Sequence, residues 1–265
     1  MIKSNIAEVS GSRSVVEKLG RFSVIEYEKD LSVTPDSAQN AWFASSMNIR
    51  KRQVMADLDD DHGVIVQAGA MQMMLGQVDM VTGIKGVGDL MKKAVGSAVT
   101  GETVIKPHYS GNGTVLLEPT FRYILLEDMA DWPDGLVIQD GMFLACDDAV
   151  EMRVCARKSL SSTLFGKEGL FNTVLFGGDT VVLESDVPKD EIFVIELKDD
   201  ELKIDGHQAI CWSAGLSFTV ERTAPTLIGS AVSKEGLVNV YRGTGKVLVA
   251  PVAANVGITV PKEEK

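Results

Sequence analysis

Short apolar runs punctuated by glycine fill the chain, and few are long enough for a helix. Arg21 to Val33 (RFSVIEYEKDLSV) alternates apolar and polar residues, the period of a half-buried strand. His62 to Gly76 (HGVIVQAGAMQMMLG), Asp140 to Val154 (DGMFLACDDAVEMRV) and Asp205 to Val220 (DGHQAICWSAGLSFTV) repeat one pattern: a turn with glycine, an apolar strand, a small-residue break and a second strand. A second block recurs from Gly101 (GETVIKPHYSGNGTVLLEP), Gly169 (GLFNTVLFGGDTVVLES) and Gly236 (GLVNVYRGTGKVLVAP). Each copy holds two apolar runs flanking a Gly-rich stretch: Ser110–Gly113, Gly177–Asp179 or Gly243–Gly245. Glycine enters positive φ at little steric cost, as tight hairpins require. The pattern therefore predicts three homologous β-hairpins, at 101–119, 169–185 and 236–251.

The two blocks alternate, which makes three units. The first is longer, and its excess lies around Met80 to Thr100. Val87, Leu90, Met91, Ala94, Val95 and Ala98 recur there at helical spacing, predicting one short inserted helix near 87–99. Few residues follow the third hairpin, while Arg21 to Asp61 precedes the first unit. That segment is expected to supply the missing strands and close three units into a pseudo-threefold ring with fewer raw edges. The expectation is an all-β fold in which residues 21–265 form one domain of three repeats. Residues 1–20 are an N-terminal extension whose order the sequence does not fix.

These blocks resemble the TRAP-like family of altered-inheritance-of-mitochondria proteins. The resemblance rests on Gly69-Ala70-Met71, Gly101-Glu102 after a Gly- and Lys-containing segment, the Phe171 to Gly177 pattern, and the three recurrences; it runs from about Arg21 to Pro261. It implies a double-stranded β-helix or β-sandwich, with repeats arranged like neighbouring subunits of the trp RNA-binding attenuation protein, a ring that binds tryptophan and RNA. Mitochondrial relatives are linked to inner-membrane organisation, and the family offers no catalytic residues to carry over.

Composition narrows the partners. The chain has 265 residues, 45% hydrophobic and 24% charged, with 26 Lys and Arg against 37 Asp and Glu, a formal charge of −11. Nucleic-acid affinity comes chiefly from neutralising phosphates, so this balance argues against nucleic acid. No apolar run reaches the roughly 20 residues that span a bilayer, and Met1 to Gly20 lacks a signal-peptide core. Three cysteines, Cys146, Cys155 and Cys211, give no disulfide framework and fit a reducing compartment. A cytoplasmic protein is expected. In the repeat alignment Ala68, Cys146 and Cys211 share one place, so the two thiols read as small packing residues.

Candidate chemistry is sparse. Gly245-Lys246-Val247 is no phosphate loop, and Gly83-Ile-Lys-Gly86-Val-Gly88 has the wrong order for a dinucleotide loop. His62, His108 and His207 are isolated. The acidic turn Asp57–Gly63 has His62 and Ala68 where a calcium loop needs Gly and Glu. Cys211-Trp-Ser213-Ala-Gly215 lacks the first glycine of a nucleophile elbow. Ser159–Thr163 reads as a strand end or turn. Asp147-Asp148 and Asp199-Asp200-Glu201 read as exposed solubilising charge. The compact basic clusters, Arg50-Lys51-Arg52 and Lys92-Lys93, do not recur among the repeats, so no repeating RNA surface is visible. Met71, Met73, Met74 and Met80 form a Met-rich stretch that serves either as core or as an adaptable contact surface. The expectation is a non-enzymatic binding or scaffolding protein that self-associates, with no cofactor, metal or catalytic residue. A small-molecule or RNA binder is the alternative.

Overall fold

A computed structural model describes residues 2–82, 106–156, 171–205, 208–222 and 237–251. Sixteen strands and one α-helix make up the described fold, with two short 3-10 turns. β1 (Arg13–Leu19) and β2 (Phe22–Tyr27) form a hairpin. After α1 (Pro35–Ser46) come β3 (Lys51–Leu58), β4 (Val64–Val66), β5 (Met71–Val81) and β6 (His108–Leu117). β7 (Tyr123–Asp128), β8 (Leu136–Ile138), β9 (Phe143–Asp147), β10 (Glu151–Ala156), β11 (Phe171–Phe176) and β12 (Thr180–Ser185) follow. The chain continues through β13 (Phe193–Asp205), β14 (Ala209–Ser213), β15 (Ser217–Arg222) and β16 (Leu237–Val249).

Two sheets result. The first runs β1-β2-β3-β6-β4-β9-β12-β7, with β5 also on β6. It curls until its ends, β1 and β7, touch. The second runs β10-β11-β8-β14-β16-β13, with β15 also on β16. Every pairing between named strands is antiparallel.

The period-2 alternation builds three apolar layers. Phe22, Val54, Val115, Leu126 and Val182 fill the inside of the curled sheet. Leu125, Cys146, Val181 and Leu183 face Leu136, Leu175, Cys211 and Leu248 between the sheets. Val137, Val174, Trp212, Tyr241 and Val247 line the far face of the second sheet. β7 and β12 are thus apolar on both faces, which is why their runs look continuous and not alternating.

The strand–break–strand blocks appear as expected, as β4/β5, β9/β10 and β14/β15. The Gly-rich blocks do not form the expected hairpins. β6 runs straight through Ser110–Gly113 beside β5, and β16 runs straight through Gly243–Gly245 beside β13. At Gly177–Asp179 the chain passes from β11 in the second sheet to β12 in the first. Close backbone approach explains the β6 glycines, Gly111 and Gly113. A Cβ on Gly113 would lie 2.0 Å from the Leu75 carbonyl oxygen, and Gly111 has φ +108°. The same composition that favours a tight turn permits close approach of a paired strand here.

In place of the expected pseudo-threefold ring of three units, the described strands form two sheets, of nine and seven strands. β2 and β3, from the segment expected to close the third unit, pair with each other, and β3 pairs with β6. β1, within residues 1–20, is an ordered strand of the curled sheet. The inserted helix near 87–99 lies outside the described residues. The described helix is α1, in a segment read as strand-supplying. Thr34 and Ser37 form a capping box at its start, and Pro35 occupies its first turn. α1 buries none of its residues and leaves Trp42 and Phe43 exposed.

Candidate functional site

The charged residues that the sequence singles out prove to be tied down. Arg50 Nη1 donates to Glu26 Oε1 at 2.7 Å, Arg52 Nη2 lies 2.7 Å from Glu26 Oε2, and Lys51 Nζ donates to Asp30 Oδ2 at 2.5 Å. Arg52 also stacks on the Tyr123 ring. The Lys51 contact and the Ser32 hydroxyl hold the Asp30 carboxyl down at about 2. This basic cluster is therefore occupied by carboxylates of its own chain. Lys92-Lys93 lies outside the described residues.

Asp147 and Asp148 are not the exposed pair expected. Asp147 is buried and accepts from Arg21 Nε and, at 2.7 Å, from the Thr180 backbone N–H. The Gly20–Arg21 turn between β1 and β2 delivers the Arg21 side chain, so this ion pair pins the first hairpin to β9 and β12. Asp148 Oδ2 accepts the Gly63 N–H at 2.9 Å and sits 3.1 Å from His108 Nε2. Burial opposes the Asp148 charge, but these two contacts prevail and lower its pKa. His62 Nδ1 lies 2.7 Å from Asp59 Oδ1 in an exposed turn. His207 and Ser159–Thr163 fall outside the described residues, as does Gly83–Gly88. Among the described residues no group of three His, Cys, Asp or Glu could hold a metal ion.

Cys146 and Cys211 are fully buried in the layer between the sheets, and burial pushes both thiols up. Ala68, their sequence equivalent, lies instead in the turn after β4. Trp212 stacks with Phe218 and meets Tyr241 edge-on, so the Cys211–Gly215 stretch is a core strand and its turn.

Among the described strands β5 carries the most exposed large apolar residues. It pairs with β6 along one side, and among the described residues no strand pairs with its other side. Met73, Met74, Met80 and Val81 are exposed, and Asp79 is its only charged residue. The Met-rich stretch is thus a surface, with Met71 alone packed partly against the core. Sequence could not decide this, because Met serves both environments.

The chain is thus an antiparallel β protein of two sheets, with Arg21–Asp147 and Arg50/Arg52–Glu26 ion pairs in its frame and, among the described residues, one long side of β5 without a strand partner. A family model for mitochondrial biogenesis AIM24 matches residues 46–252, and the chain belongs to that family, as its repeated blocks imply. The fold is similar to a crystal structure of a Streptococcus pyogenes protein from a structural genomics programme. That likeness has a TM-score of 0.56 and 23% identity, over 78% of this chain and 90% of that one. It speaks for the fold alone. No curated protein matches the chain. Among the described residues no helix is long and apolar enough to cross a membrane.

Proposed function

We propose that the chain is a non-enzymatic cytoplasmic scaffold that self-associates through the open edge of β5. The observation that carries this reading is the chemistry of that edge. An exposed strand presents unpaired N–H and C=O groups, and proteins normally blunt it with lysine, proline or a short length. β5 is 11 residues long and has neither Lys nor Pro. Two copies meeting antiparallel at β5 would pair their edges and cover Met74 and Met80 together, an isologous contact of the kind closed dimers use. Buried thiols fit the reducing cytoplasm. The neutralised Arg50–Arg52 cluster weighs against RNA.

The test is light scattering behind size exclusion across a concentration series, with wild type beside a Met74→Lys/Met80→Lys variant. The reading expects a multimer for wild type and a monomer with an unchanged melting temperature for the variant. A monomeric wild type, or a variant that assembles equally well, overturns it.

A further inference from the structure

Where the two ends of the curled sheet meet the second sheet, a cavity of about 350 Å3 opens. Its apolar wall is Leu19, Leu126, Ile192, Val194 and Leu248, drawn from both sheets. Lys246, on β16, points its ammonium at the face of the Trp132 ring, 4.1 Å from the centroid. Trp132 is buried and donates its indole N–H to Glu127 Oε2 at 3.0 Å. A buried indole thus holds both the cation and the acid in fixed places.

Three lysines, Lys18, Lys189 and Lys246, and four acids, Glu17, Glu127, Asp128 and Asp131, line this cavity, with Lys18 exposed. Lys189 Nζ donates to Glu17 Oε1 at 2.9 Å and to the Leu126 carbonyl at 3.4 Å, so that pair is closed. Asp128 accepts the Ala130 N–H at 2.8 Å, and both it and Asp131 are exposed at the rim. Burial raises Glu127 above the usual carboxylate range, against the pull of Trp132, Lys189 and Lys246. Among the described residues no carboxylate oxygen lies within 4.0 Å of the Lys246 ammonium. A half-buried ammonium beside an apolar wall has a steric and electrostatic complement: an anionic head on an apolar body.

We propose that this cavity binds a small amphipathic carboxylate, its head on Lys246 and its tail along Leu126, Leu248, Ile192 and Val194. The site is independent of the β5 edge. Lys246 sets the position of the head group, because it is the ammonium that lies against the buried Trp132 ring. Val194, exposed at the mouth, sets the tail side.

Octanoate is the probe, with octylammonium as its opposite-charge twin, titrated into the intact chain by calorimetry at constant ionic strength. The site predicts one octanoate per chain. Lys246→Met should weaken binding about tenfold or more, the scale of a lost charge-assisted hydrogen bond, and Lys246→Arg should retain it. Val194→Asp, a surface change that leaves the frame intact, should weaken it by setting an anion beside the tail. Octylammonium binding as tightly as octanoate overturns the proposal. So does octanoate binding that neither Lys246→Met nor Val194→Asp alters, or no binding at millimolar probe.

Discussion

β5 and β13 are both long outer strands, each paired along a glycine-containing strand, β6 and β16. Their chemistry differs. β13 reads FVIELKDDELKID, with charges through most of its length and a bulge between Leu197 and Asp200, where Asp199 takes φ +52°. Glu201 also pairs with Arg242 on β16 and with Lys203. On the neighbouring β15, the Arg242 contact and the Thr219 hydroxyl hold Glu221 down at about 2. β5 has one charge in its 11 residues. Charge and irregularity discourage a second chain from pairing at an edge, and their lack invites it. Among the described residues one edge is guarded by charge and the other is not, and that difference is a property of the residues and not of the fold.

That contrast can be broken or sharpened by substitution. The largest effect falls on the frame under β13. Trp212→Ala empties an aromatic site against Phe218 and Tyr241 and should cost about 4 kcal/mol in urea unfolding. The chain that remains folded should still assemble through β5; loss of assembly there would mean that overall stability, not edge chemistry, governs association.

Next is the frame under the curled sheet. Asp147→Ala leaves Arg21 without its buried partner and the Thr180 N–H without an acceptor, at about 3 kcal/mol. Denaturant unfolding measures it, and the expected outcome again spares assembly in the folded fraction. A smaller effect tests the guard itself. Lys198→Val with Asp200→Val removes one charge of each sign from β13, keeps the net charge, and should change stability by less than about 1 kcal/mol. Light scattering should then show larger assemblies than wild type, because a second edge has opened. An unchanged mass would break the comparison.

The strand–break–strand blocks were legible because period 2 and the small-residue breaks are local. Other features were not. Ser110–Gly113 and Gly243–Gly245 read as turns because glycine marks a tight reversal and a closely paired strand alike. Only the facing Leu75 carbonyl distinguishes them at Gly113. α1 escaped notice because it buries nothing and so has no apolar stripe, although Thr34, Pro35 and Ser37 carried a cap signal. The Arg21–Asp147 pair joins residues distant in sequence, and no spacing rule reaches that far. Cys146 and Cys211 are packing residues as the block alignment implies, although Ala68, the third member of that alignment, lies in a turn.

Those two thiols also make the layer between the sheets self-reporting. Alkylating reagents attack the thiolate, and a side chain with no exposed surface is shielded until the sheets part. In a Cys155→Ser background, the mass gained per hour in iodoacetamide becomes a clock for separation of the two sheets. It needs no added dye and no engineered label.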